Sequence, residues 1–190
     1  MRRRAVLAAA GASMAGLAGC LGDTEYAITD VEVQSTAPFA FDVRIAEPDA
    51  VIEHPARLEF ELRNDGERAF QFRNTGIWPF GLLELVGSPD PEDEGVGALL
   101  WTEEYESSEY VDIENRQSYG VESTPLVQSV ASGETVSETY ELHGEDILDS
   151  GTMYVRGKFE PPVFEYRRDG GEWQSFSPEI AVTIAAKGLL

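Results

Sequence analysis

Leu58-Glu59-Phe60-Glu61-Leu62-Arg63, running into Asn64-Asp65-Gly66, alternates apolar and charged side chains without a break. Successive side chains of a strand point to opposite faces, so Leu58, Phe60 and Leu62 line one face while Glu59, Glu61 and Arg63 line the other. That is a half-buried strand. Asn-Asp-Gly after it has the composition of a tight turn, whose positive φ these residues tolerate, and Phe70 and Phe72 start a returning strand. The same period of two recurs outward along the chain. Phe39, Phe41, Val43 and Ile45 share a face against Asp42 and Arg44. Val136, Tyr140 and Leu142 follow the turn Ser132-Gly133-Glu134, with Glu138 falling on the same face. Met153, Val155 and Phe159 align with Gly157, and Ile180, Val182 and Ile184 form the last strand. Arg168-Asp169-Gly170-Gly171-Glu172 has the composition of a hairpin tip, and Pro161-Pro162 confines its neighbourhood to a sheet edge or a bulge. Past the N-terminal segment no stretch carries a helical period of helical length; Glu145 to Asp149 suffices for one turn. Strands divided by turn signals predict an all-β fold, an antiparallel β-sandwich. Ser88 to Glu134 is the least regular part. It holds Pro89-Asp90-Pro91-Glu92-Asp93-Glu94-Gly95, read as an exposed loop, and a weakly patterned run from Asn115 to Gln128.

The 190 residues carry 14 Lys+Arg against 35 Asp+Glu, a formal net charge of −21, and Lys158 and Lys187 are the only lysines. A balance this acidic argues against nucleic acid as a partner, because phosphate binding needs a basic face. Apolar residues at 42% and aromatics at 10% are enough for a packed core. A single cysteine excludes an internal disulfide framework, a cysteine-rich zinc site and a CxxC redox pair.

That cysteine stands at a telling place. Arg2, Arg3 and Arg4 are followed by an apolar stretch from Ala5 to Gly19, shorter than the roughly 20 residues a membrane-spanning helix needs. A positive start, a short apolar middle and small residues before a break are the marks of an export signal. The arginines with their mildly apolar follower resemble a twin-arginine signal, although Ala5-Val6-Leu7 stands where that pattern carries Phe and a later Lys. Leu17-Ala18-Gly19-Cys20 resembles the lipobox of exported lipoproteins. That resemblance implies a signal over 1–19, a lipid on the Cys20 sulfur, and a short tether over 20–25 before a domain spanning 26–190. The acidic, lysine-poor composition behind such a signal resembles the secreted lipoproteins of halophilic archaea, which implies a fold that depends on high salt.

The β pattern resembles immunoglobulin-like modules of exported archaeal and bacterial proteins. It is carried by Leu58–Arg63 closing on Asn64-Asp65-Gly66, the Phe70/Phe72 strand, the Ser132-Gly133-Glu134 turn, and Gly151-Thr152-Met153-Tyr154. The last looks like a tyrosine corner with Asp149 upstream. A similar strand order, including the Gly76-containing segment after the phenylalanines, occurs in the bacillar intracellular proteinase inhibitor family. The fold expected is therefore an immunoglobulin-like β-sandwich preceded by a signal and lipobox.

Catalytic constellations are thin. A nucleophile needs a base beside it, and only His54 and His143 offer an imidazole; no G-x-S-x-G elbow occurs in the mature chain. Glu141-x-His143-x-Glu145 would present three metal ligands on one strand face. Asp90-x-Glu92-x-Glu94-Gly95 opens like a calcium loop, but loop position 12 is Trp101 and not Glu. A structural or solvated role outweighs a metal at both places, and no cofactor is implied. Trp78-Pro79-Phe80, in a turn-rich stretch after Gly76, is the candidate for partner recognition, together with the loop from Pro89 to Gly97. The expectation is a non-enzymatic interaction or structural module, held on the extracellular face of the cell membrane through lipid on Cys20 and recognising an extracellular protein or ligand. The alternatives are a proteinase inhibitor on the same face and a cation- or ligand-binding lipoprotein.

Overall fold

The structure, a computed structural model, describes residues 25–90, 97–159 and 162–188. The signal-like segment, Cys20 and most of the expected tether lie outside the described residues, as do Glu92 and Glu94.

The strands are β1 (Tyr26–Gln34), β2 (Ala40–Glu47), β3 (Asp49–Ala50), β4 (Ala56–Arg63), β5 (Phe70–Asn74), β6 (Leu83–Val86), β7 (Ala98–Leu100), β8 (Val111–Asn115), β9 (Ser118–Val121), β10 (Leu126–Val130), β11 (Thr135–Leu142), β12 (Gly151–Gly157), β13 (Phe164–Arg168), β14 (Gln174–Phe176) and β15 (Glu179–Ala186). Among the described residues, helix amounts to one α turn, α1 (Glu104–Ser107), and a 3-10 turn at Gly144–Asp146. The molecule is an all-β antiparallel sandwich. A long sheet ordered β3-β1-β15-β12-β6-β7 packs against a three-stranded sheet β11-β4-β2, a four-stranded sheet β10-β5-β13-β14 extends the latter, and β8-β9 form a ribbon. Buried side chains of all these layers make one continuous core.

The alternation sets which residues face that core. Leu58, Phe60 and Leu62 of β4 are buried, with Tyr140 and Leu142 of β11 and Val43 of β2 beside them. Across the sandwich stand Leu83, Leu85, Val155, Ile180, Val182 and Ile184. In β1 the register against β15 shifts between Ile28 and Asp30. The extra residue brings Val31 and Val33 to the face of Ile28, which an unbroken strand would have denied them.

Two readings change at the end of β4. Phe70 and Phe72 do not return along β4: β5 pairs with β10 and β13. Because β4 pairs with β11, the four strands form one two-stranded ribbon bent at a corner. Nor does Asn64-Asp65-Gly66 use positive φ. The corner is instead pinned by Asn64, whose Nδ2 donates to Arg68 O (2.8 Å) and Val130 O (3.0 Å) while its Oδ1 accepts from Gly66 N (3.0 Å).

Aromatic rings fill the space under this corner. Phe39 meets Phe70, Phe72, Phe164, Tyr166 and Phe176 at centroid distances of 5.1 to 5.8 Å, and Phe164 stacks on Phe176 at 4.7 Å. The expected tip at Arg168–Glu172 joins β13 to β14 with Asp169 and Gly170 at positive φ. Phe159, aligned with the core by spacing, is 57% exposed because β12 ends at Gly157. Tyr154 and Asp149 form no corner: Asp149 Oδ1 accepts from the adjacent Ser150 N instead.

Candidate functional site

The loop between β5 and β6 is built inward. Gly76 has φ +83°, and a Cβ on it would overlap Leu82 Cδ1. Phe80 is wholly buried, its ring 5.9 Å from both Phe41 and Phe60 and 6.2 Å from Phe164, so it bridges the three- and four-stranded sheets. The Tyr140 hydroxyl donates to Gly81 O at 2.7 Å, Asn74 Nδ2 donates to Pro79 O at 2.5 Å, and the Trp78-Pro79 peptide is cis. Pro79 and Phe80, expected at a recognition surface, are thus parts of the core. Trp78 is half-buried and packs its ring 6.2 Å from Phe72.

This clamp forms the floor of a cleft of about 450 Å³. Its walls are the end of β5, the loop before β6, the end of β9 with the segment that follows it, the end of β12 and the start of β13. Phe80, Leu82 and Phe164 supply an apolar base; Arg73, Lys158, Glu122 and Glu165 supply charge. Arg73 is ion-paired to Glu165. Asn74 Oδ1 is a buried acceptor with no hydrogen-bond donor, while the same residue's amide nitrogen is spent on Pro79.

Lys158 also reaches behind the cleft. Glu84, on β6 and only 3% exposed, accepts from Arg156 Nε at 2.9 Å and from Lys158 Nζ. Gly97 packs against it so closely that a Cβ there would strike the carboxylate. Burial raises the pKa of Tyr119, and nearby Lys158 pulls it back down. Removing one partner of a buried pair costs more than the pair contributes, so this group reads as internal wiring.

The Glu141, His143 and Glu145 set, weighed as metal ligands and set below a structural role, does not share one strand face. β11 stops at Leu142, so His143 leaves the ladder and Glu145 falls in the 3-10 turn. Glu141 accepts from Arg57 Nε and Nη2 at 3.0 and 2.9 Å, with His143 Nε2 3.4 Å from its other oxygen. Arg116 pairs with Glu145 and, at 3.2 Å, with Asp146. A guanidinium therefore occupies the place between carboxylates that a cation would need. The His143 pKa is lowered by burial first and by Arg116 second. Among the described residues no three His, Cys, Asp or Glu side chains converge as metal ligands. Asp90 is exposed, its backbone N–H donating to Ser88 Oγ at 3.2 Å. His54 is exposed at the surface, its Nδ1 3.3 Å from Pro55 O.

Apart from Phe80, the charged and apolar residues that line the cleft or brace it were passed over by sequence reasoning. Glu84 interrupts an apolar run, Leu82-Leu83-Glu84-Leu85-Val86, and Lys158 is one of two lysines; those were the available signals. None of the curated proteins matches the chain. The family model described as a domain of unknown function, DUF8130, matches residues 1–190, and the chain belongs to that family.

Proposed function

We propose that the protein is a lipoprotein held on the outer face of the cell membrane through Cys20, and that its sandwich is a non-enzymatic interaction module, immunoglobulin-like in kind, exported by a twin-arginine signal and adapted to high salt. The observation that carries this reading is the polarity of the sandwich. The chain enters β1 at Tyr26, which pairs with Ala186 and Ala50, whereas the far end of β1, Gln34, pairs with Glu179, just past β14. The cleft is built from Gly157 and from Arg73 to Thr75, at that far end. Nine residues of strand span ~30 Å. A tether over 20–25 therefore holds the cleft away from the bilayer, toward whatever lies outside.

Intact mass of the membrane-extracted protein, compared with Cys20→Ser, tests the anchor. The expected result is a chain beginning at Cys20 and carrying lipid, with the modification lost in the variant. An unmodified full-length chain in the cytoplasm overturns the reading.

A further inference from the structure

Strand β2 stands at the end of the three-stranded sheet, with β4 along one side and no strand along the other. Every other strand at the end of a described sheet is shorter, at two to five residues, or, like β11, bridged along its free side at Trp101. An unpaired strand presents a row of backbone N–H and C=O groups, a template for a further strand. Burial marks where the sheet stops. Leu58, Phe60 and Leu62 of β4 are at most 2% exposed, whereas Phe41 and Ile45, opposite Leu62 and Leu58 on β2, are only half-buried. A strand added beyond β2 completes their cover.

In a chain with 35 acids against 14 cations, like charge on an edge is the expected guard against a second copy. β2 departs from it: its outward face carries Asp42 and Arg44, one of each sign, both exposed. Two residues apart, they are self-complementary. Set a second β2 antiparallel to the first with Val43 opposite Val43, and Asp42 of each copy faces Arg44 of the other, while Phe41 faces Ile45. Opposite charges directly across a ladder attract and like charges repel. Centring the pair on residue 42 or 44 sets like charges opposite instead, and parallel pairing in register does so at both positions. Arg44 donates to Glu59 through Nε and Nη2, at 3.1 and 2.7 Å, which leaves Nη1 for a second carboxylate.

We infer that β2 docks a second copy of this chain, strand to strand and antiparallel about Val43. The ladder is short, because the register against β4 shifts between Ile45 and Glu47 and confines regular pairing to Phe41–Ile45. Association is therefore of the weak, transient class. An antiparallel pair also turns the two sandwiches end for end. β2 runs from the Gln34 end of β1 back toward Asp49, which pairs with Ala27, so the two Tyr26 ends lie at opposite ends of the pair. Under the anchoring proposed above, the two copies come from facing membranes. That consequence rests on the lipoprotein reading; the pairing itself does not.

Sedimentation equilibrium of the full chain, at the lowest salt that keeps it folded and at concentrations up to ~1 mM, tests the pairing. Expected is a reversible monomer–dimer equilibrium, weakened at least ~tenfold by Asp42→Arg and by Arg44→Asp, each of which sets like charges opposite. The double variant, Asp42→Arg with Arg44→Asp, restores opposite signs and dimerises like the wild type. The two single variants, mixed, form the heterodimer, and that recovered association shows that both fold. A monomer throughout, association insensitive to either substitution, or a double variant that stays monomeric overturns the inference. Vesicles carrying the chain, with lipid on Cys20 verified by mass, are expected to aggregate, and to stay dispersed with Arg44→Asp. Dispersed wild-type vesicles despite dimers in solution would overturn the facing-membrane arrangement and leave the anchor standing.

Discussion

Asn64 shows how much one side chain decides. It is fully buried, and all three of its side-chain hydrogen bonds go to backbone atoms that the bend would otherwise orphan. Asn64→Ala strands two carbonyls and one N–H, so it is expected to destabilise the fold by about 2–4 kcal/mol, measured by chemical denaturation. Glu138 makes a second case. It sits partly buried on β11, accepting from Thr102 Oγ1 at 2.6 Å, and burial raises its carboxyl pKa more than that hydrogen bond lowers it. With the folded value raised, the folded state keeps a proton that the unfolded chain releases. This contribution is present below the unfolded pKa and is lost as pH rises through the folded one. Glu138→Gln is therefore expected to raise the Tm by about 2 °C at pH 7, the gain vanishing toward pH 4 in parallel thermal melts. The sequence marked Glu138 as an oddity on an apolar face. Its partner Thr102 was invisible, being 36 residues away along the chain.

Among the elements, strands with several periods were legible and short ones were not. β4 alternates over eight residues, and its face assignment holds along its whole length. β7, β8 and β9 span three to five residues, too few repeats to stand out within 88–134. Period two also says which residues share a face, not which strand lies alongside; hence β5 was given the wrong neighbour. The β5–β6 loop failed for a related reason. Trp-Pro-Phe after a glycine has the composition of an exposed binding loop, but Phe80 is drawn inward because the three- and four-stranded sheets share it as a common ring to pack on. Phe80→Ala is expected to cost about 3–5 kcal/mol. Its loss should loosen β13 and β14 first, seen as faster amide hydrogen exchange there than in β15. Uniform exchange across all strands would contradict the bridging role.

The molecule as a whole is governed by its charge. With 35 acids against 14 cations, and nearly every described cation already paired, the remaining carboxylates repel one another across the surface. Salt shortens the Debye length from ~10 Å at 0.1 M to ~3 Å at 1 M, which relieves that repulsion. The Tm is accordingly expected to climb steadily between 0.1 and 2 M KCl, and the fold to weaken in dilute buffer, by differential scanning calorimetry. A melting point independent of salt rejects this.

Composition and period two are local properties, so the chain by itself determined the all-β class, the inward faces of its longer strands and the acidic surface. What only the tertiary structure decided are the features that depend on residues far apart in sequence. The corner at Asn64 bends a ribbon whose halves lie more than sixty residues apart, from Asn64 to Val130. The cleft gathers ends of β5, β9, β12 and β13. Arg116 closes the gap between acids that spacing alone had offered to a metal. In each case the deciding quantity is which backbone lies alongside which, and that is set by summed packing and hydrogen bonding over the whole fold, which no local pattern encodes.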